Sequence, residues 1–307
     1  MSPLRYLAAS ARIANLPSVI SNVWMGIAIA AGHSVEPGIP WSAINLIFCG
    51  ILLCLGGNFL NDWADREWDA KNRPERALPR MIFPASLYFT NAITCLVIAA
   101  LLAVAVSSAV LIVALAISAC ILLYTWSHKR SQWSVIPMAL CRGLLPVLGL
   151  TACSFPQTYQ STATLLGAAC GLGLFLHTLG ISLNARLEST RPDSAPARLS
   201  IVLFPLAAAF PAIAGTMEGF VILSIFTALL PYAVWTSLAF TRFRQPVSKR
   251  VSALLAGFPL VDYILLFPMA ILVITCSGPS PFALACLMLS PITFFSAKGL
   301  QRLAPAT

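Results

Sequence analysis

Ten apolar runs, each close to 20 residues, dominate the chain. They cover about 13–31, 41–60, 84–104, 106–125, 133–152, 161–184, 199–216, 219–240, 250–275 and 280–297. Runs of this length match the thickness of a bilayer core crossed by an α-helix. They lack the ten-residue apolar/polar alternation of a membrane β-barrel. The pattern predicts an all-α fold: a polytopic membrane bundle of nine to ten helices, with residues 1–307 forming one integral-membrane domain. Pro and Gly within the runs do not argue against spanning helices, because membrane bundles tolerate both.

The connecting segments fall into two sets. The N-terminus, 61–83, 126–132, 185–198, 241–249 and the C-terminal tail carry every Lys and Arg except Arg142, with Arg12, Arg250 and Lys298 at helix edges. Segments 32–40, the turn near 105, 153–160, 217–218 and 276–279 carry none. The positive-inside rule puts the basic set in the cytoplasm. Both termini then lie inside, which requires an even number of crossings and supports the run at 280–297 as a tenth. A re-entrant or surface helix is the alternative for that run.

Composition agrees. Of 307 residues, 59% are hydrophobic and only 9% charged, with a mean hydropathy of +0.86. A soluble domain has roughly 45–50% apolar and about 25% charged residues. The net charge of +9 points to anionic lipid at the inner face rather than nucleic acid. Nine cysteines and three histidines are scattered, with no CxxC and no Cys/His cluster. They read as small core residues, not as a zinc site or disulfide framework. "MSPLRYLAASARIANLPS" shows no cleavable signal, so the first apolar run is expected to be retained.

One stretch breaks the apolar pattern: "GGNFLNDWADREWDAKNRPERALPR", Gly56–Arg80. "LNDWADREWD" reads as a continuation of the second helix into the cytoplasm. Asp62, Asp65 and Asp69 are spaced i, i+3 and i+7, which puts them on one helix face, with Asn58 a turn earlier and Asn61 beside them. Like charges so placed repel unless a cation sits among them. Sparse hard oxygen donors suit Mg²⁺ that also keeps waters and phosphate oxygens. Lys71, Arg73, Arg76 and Arg80 follow at once. Acids for Mg²⁺ and guanidinium forks for phosphate are what a lipid diphosphate needs. The plain alternative is a solvated loop of mixed charge.

These residues resemble the first signature of the UbiA superfamily of membrane prenyltransferases: N-D-x-x-D-x-x-x-D followed by R-P-x-R-P. "RIANLPSVISNVWMG" (12–26) resembles the first helix of that family, with Asn15 and Asn22 a heptad apart. "LLYTWSHKR" (122–130) is similar to its Tyr-to-Lys signature, and "MALCRGLLPVLG" (138–149) to its fifth helix. The resemblance covers about 1–200. It implies a helical bundle around a cavity open to lipid, with a Mg²⁺-diphosphate site under a cytoplasmic cap. Asp62, Asp65 and Asp69 would hold the metal. Asn58, Asn61, Lys71, Arg73, Arg76, Tyr124, Lys129, Arg130 and Arg142 would serve the diphosphate.

The second half departs from the family. Aligning Leu60-Asn61-Asp62 with Leu183-Asn184-Ala185 puts Ala185, Glu188 and Pro192 where the three aspartates would recur. Arg186 and Arg191 add positive charge there. Arg186 and Glu188 are therefore expected to replace a second metal site, or the second half no longer binds diphosphate. A similar pattern occurs in the EboC-like branch of the superfamily. "RPERALPR" also lacks the second proline of R-P-x-R-P. Arg142 is the lone Lys or Arg within a span and Asp262 its counterpart near the other end, so the two are candidates for an ion pair. Asp262 alternatively reads as an acceptor-side acid, and Arg142 as a cation on the cavity wall. The resemblance implies Mg²⁺-dependent transfer of a prenyl group from a prenyl diphosphate to an aromatic or lipid-like acceptor in a bacterial cytoplasmic membrane. The alternative is a protein that binds or moves an isoprenoid or pigment precursor without transfer chemistry.

Overall fold

The computed structural model describes residues 2–33, 39–127, 131–151, 153, 157–186 and 195–304. Among these residues twelve α-helices follow in order: α1 (Pro3–Ser10), α2 (Leu16–Gly32), α3 (Ser42–Asn72), α4 (Ala85–Val106), α5 (Ser108–Ser127), α6 (Val135–Leu150), α7 (Gln157–Ala185), α8 (Ser200–Met217), α9 (Ile222–Phe240), α10 (Val247–Ala256), α11 (Phe258–Ser277) and α12 (Pro281–Leu300). Among the described residues, nine segments are long and apolar enough to cross a membrane, the last being Pro281–Leu300. Val247–Ser277 counts as one of them although it is broken at Gly257. The break follows from Pro259 in the first turn of α11, which has no N–H to continue the ladder.

The fifth apolar run, 133–152, forms a shorter helix than its pattern predicts. α6 has 16 residues, or about 24 Å of rise, less than a bilayer core of about 30 Å. It packs against α2, α5 and α7, and its second half is mostly buried, while Ile136 and Leu140 in its first half are exposed.

Sequential helices pack on one another from α2 round to α9, then α11 and α12, and α12 returns to α2. α2 is the central post, with 78% of its apolar window buried. α4 is peripheral: its window is 17% buried, and its outward Leu101 and Val104 face where lipid lies. The post is set by close helix approach. A Cβ on Gly26 of α2 would fall on the Pro146 carbonyl of α6, and one on Gly149 on the Val23 carbonyl. Small residues at such crossings let backbones meet in membranes.

α3 and α7, which follow α2 and α6 in the chain, are the two longest helices among the described residues, with 31 and 29 residues. At 1.5 Å per residue α3 is about 46 Å long. Its apolar first two-thirds are about 30 Å long, the thickness of a bilayer core, and its last three turns carry the aspartates. α3 stops at Asn72 because Arg73 precedes Pro74, which disfavours helical geometry at Arg73 (φ −143°, ψ 60°).

Candidate functional site

A cavity of about 700 Å³ runs beside α3 from Gly50 to Asp69, a rise of about 28 Å. Its deep part is apolar, walled by Val19, Leu53, Ile117 and Leu145. Its mouth is polar, with Arg12, Asn61, Asp65, Asp69, Arg73, Arg76 and Arg186. Ser131 and Ser134, before α6, and Val251 of α10 complete the wall. Four of the segments that the basic pattern groups together, the N-terminus, 61–83, 126–132 and 185–198, therefore contribute to one cavity.

The mouth is built by two chain reversals. The turn after α3 brings Arg76 back onto the helix: its Nη1 donates to Asp69 Oδ2 at 2.8 Å and lies 3.6 Å from Asp62 Oδ1. The junction of α1 and α2 brings in Arg12. Its backbone is left-handed (φ 48°, ψ 49°), unusual for a residue with a side chain. From there Nη1 donates to Asn58 Oδ1 at 2.8 Å and Nη2 to Asp62 Oδ1 at 3.1 Å. Asn58 answers by donating to the Ala11 carbonyl at 3.0 Å. Arg80 donates to the Tyr6 hydroxyl at 2.7 Å, holding α1 against the same loop. Burial works against the charge on Arg76, yet Asp62, Asp69 and Asp65 outweigh it and raise its pKa further above the usual arginine range.

Three aspartates on one face do not have equal roles in this geometry. All are buried. Asp65 and Asp69 line the cavity, whereas Asp62 lies behind it with Arg12 and Arg76. Asp62 and Asp69 differ by only about 20° around the helix, so it is the Arg12 and Arg76 side chains against Asp62, not the helical angle, that set it apart. Among the described residues no group of three His, Cys, Asp or Glu gathers around one point. Asn61 Oδ1 and Asp69 Oδ1 are buried without a hydrogen-bond partner, and Asn61 Nδ2 donates to Asp65 Oδ2 at 3.4 Å. Unpartnered oxygens one turn either side of a cavity carboxylate fit a hard cation. Mg²⁺ suits such a sparse set because it keeps water and phosphate oxygens as its other ligands.

Other sequence-derived candidates separate. Tyr124, Arg142 and Arg186 line the cavity, and so does Asn58; Lys71 is exposed and does not. Lys129, Arg130 and Glu188 lie outside the described residues. Asn15 reaches the cavity from a short 3₁₀ turn (Ile13–Asn15), but Asn22 faces Asp262 instead. Arg142 and Asp262 make no direct ion pair. Asp262 Oδ2 accepts from Ser21 Oγ at 2.5 Å and Asn22 Nδ2 at 2.8 Å. Arg142 donates to Ser18 Oγ at 2.7 Å and stacks 4.1 Å over Phe258. The role of Arg12 is invisible in sequence beyond its place at the start of "RIANLPSV", because only the reversal after α1 turns it toward α3.

These features define a polytopic helical membrane protein with an amphiphilic cavity whose charged mouth lies at one end of the bundle. The sequence pattern of the UbiA prenyltransferase family matches residues 19–258, and the chain belongs to that family. It is 33% identical over 132 residues to digeranylgeranylglyceryl phosphate synthase from Thermococcus sibiricus, 42% of this chain and 45% of that protein. It is 41% identical over 56 residues to the protein of the same name from Thermococcus onnurineus, 18% of this chain and 19% of that one. The chain thus matches less than half the length of these relatives. A solved structure concerned with digeranylgeranylglyceryl phosphate synthase in membranes shares the fold, with a TM-score of 0.50 at 16% identity over 100% of this chain and 99% of that one.

Proposed function

We propose that this chain transfers a prenyl group, an alkyl group other than methyl, from a prenyl diphosphate to a hydrophobic acceptor within the membrane. The observation that supports it is the continuity of a charged mouth with an apolar shaft in one cavity. A diphosphate with an isoprenoid tail has that same division of polarity.

In this reading Asp65 and Asp69, with Asn61, hold Mg²⁺ at the mouth. Bound there, the ion neutralises diphosphate charge and makes it a better leaving group. Asp62 positions Arg12 and Arg76 rather than touching the ligand. Arg73, Arg76 and Arg186 face the negative charge that grows as the allylic C–O bond breaks and its electron pair leaves with the diphosphate. The nucleophilic atom of the acceptor forms the new bond to that carbon and gives up a proton. Val19, Leu53 and Leu145 keep water from the electron-poor carbon. Lys129, Arg130 and Glu188 join the diphosphate side on sequence grounds alone. The mouth faces the cytoplasm of a bacterial cell, an orientation supported by the loop charges.

A second reading is favoured by one observation: Ala185 stands where a second aspartate motif would begin, beside Arg186 at the cavity mouth. A chain so altered binds or moves an isoprenoid without transfer. Membranes containing the protein, Mg²⁺, labelled prenyl diphosphates of several lengths and a panel of acceptors separate the two. Pyrophosphate release that needs acceptor supports transfer. No release from any donor, with ligand affinity indifferent to Mg²⁺, supports the binder.

A further inference from the structure

Three of the nine cysteines gather beside the cavity, each on a different helix. Cys54 of α3 and Cys141 of α6 line it, and Cys120 of α5 stands behind Cys141. The transfer chemistry uses none of them. Across the α5–α6 contact the thiols of Cys120 and Cys141 hydrogen-bond to each other. Cys141 Sγ also donates to the Ile117 carbonyl at 3.8 Å, one turn before Cys120 on α5, so its sulfur lone pairs are left for Cys120. The two residues lie at matching depth. Cys120 is seven residues before the end of α5 and Cys141 six after the start of α6, about 10 and 9 Å along the helices.

Cys54 is placed differently. Its sulfur accepts from Asn58 Nδ2 at 3.7 Å, one turn nearer the mouth. Among the described residues the three thiols do not converge as a metal site. Two adjacent thiols without a metal are open to oxidation, and the surroundings select the oxidant. Glutathione keeps cytosolic thiols reduced, but these two lie within apolar helices and are half-buried. Only 22% of the apolar window of α5 is buried, so that helix is largely open to lipid. A molecule that reaches Cys120 from that side dissolves in the bilayer, and it must accept two electrons. A quinone has both properties. Arg142, next along α6, sets positive charge beside the Cys141 sulfur, which carries negative charge as it attacks.

We propose that Cys120 and Cys141 form a redox-active dithiol that a lipid-soluble quinone oxidises to a disulfide. Two S–H bonds break and one S–S bond forms. The two electrons and two protons pass to the quinone, which leaves as the quinol. A covalent S–S bond is shorter than a hydrogen-bonded contact between thiols, so oxidation draws α5 and α6 together and holds the two Cβ atoms about 3.8 Å apart. Ile117 and Ile121 of α5 and Leu145 of α6 line the apolar shaft, so the bond fixes the width of the part that takes the prenyl tail. That consequence rests on the prenyl diphosphate reading of the cavity; the dithiol itself does not.

The test uses the purified full-length protein in lipid nanodiscs without oxygen. A decyl-substituted benzoquinone is added, free thiols are alkylated, and the cysteine linkages of the wild-type chain are mapped by mass spectrometry. A Cys120–Cys141 linkage should appear with an equal amount of quinol, and dithiothreitol should remove it. Glutathione disulfide, confined to water, should form it at least about tenfold more slowly. Cys120→Ser and Cys141→Ser should each stop quinol formation, and Cys276→Ser, at the exposed end of α11, should not. No linkage, a linkage of Cys141 to Cys54 instead, or equal rates with the two oxidants would overturn the proposal. Geranylgeranyl and dimethylallyl thiolodiphosphates are then titrated into reduced and oxidised protein. Oxidation should weaken the longer ligand at least about tenfold and the shorter by less than about twofold. A linkage that leaves both affinities unchanged would overturn the effect on the shaft. Absence of turnover in both forms, with the linkage formed, sinks only the transferase reading.

Discussion

Arg12 Nη2 lies 3.1 Å from Asp62 Oδ1, joining a residue that precedes the first membrane helix to a carboxylate at the far end of the second. The same guanidinium holds Asn58 at 2.8 Å. Together they lock the α1–α2 junction onto α3 and leave Asp65 and Asp69 to face the cavity. Removing one partner of a buried, hydrogen-bonded ion pair costs on the order of 3–5 kcal/mol, less here because Arg12 is partly exposed. Arg12→Ala should therefore lower the melting temperature and weaken prenyl diphosphate binding together. Arg12→Gly should do the same even though glycine favours the φ of 48° at that position. A glycine variant as stable and as tight-binding as wild type would mean that the backbone, not the guanidinium, matters.

The acidic face makes a second prediction. Asp65→Ala should abolish Mg²⁺-dependent binding of a prenyl diphosphate while the protein still inserts. Glu67→Ala should leave it unchanged, because that side chain is 86% exposed and turned from the cavity. Asp62→Ala should act through stability, freeing Arg12 and Arg76. Equal loss of Mg²⁺ dependence in the Glu67 and Asp65 variants, read by titration calorimetry, would remove the metal face from the mechanism.

Arg186 separates chemistry from binding. It rims the cavity from the end of α7. If it stabilises the leaving diphosphate, Arg186→Ala should reduce kcat more than it raises KM for the donor. A change confined to KM would instead assign Arg186 to ground-state binding.

The α2–α6 crossing predicts a stability contrast. Gly26→Ala puts a methyl group on the Pro146 carbonyl, and Gly149→Ala puts one on the Val23 carbonyl. Backbone cannot yield as a side-chain tip can, so each should cost at least about 1–3 kcal/mol and reduce folded yield. Gly299→Ala has nothing within 4 Å of the new group and should be neutral. Thermal unfolding in detergent, with all three variants side by side, decides this.

Orientation is open to labelling. Cysteines placed at 71–80, 190–196 and 244–248 should react only from the cytoplasmic side, and a reporter on the C-terminus should also read as cytoplasmic. Reaction of any of these from the outer face would reverse the orientation inferred from charge.

Sequence alone determined what depends on near neighbours along the chain. Apolar length set the spans, loop charge grouped four of the segments that now contribute to one cavity, and i, i+3, i+7 spacing put Asp62, Asp65 and Asp69 on one side of α3. These are properties of a single helix and its flanks, so they are legible residue by residue. Tertiary packing decided the rest. It turned Arg12 and Arg76 onto Asp62, so that the first aspartate of the motif supports the mouth instead of lining it. It separated Arg142 from Asp262, the pairing that charge arithmetic invites, by giving each its own serine on α2: Ser18 for the cation and Ser21 for the acid. Those serines are one step of three residues apart, so they share a face of the central helix and differ by only about 60° around its axis. Which neighbour each serine meets depends on how α6 and α11 pack around α2. The glycine contacts that bring α6 close exist only once the bundle is assembled.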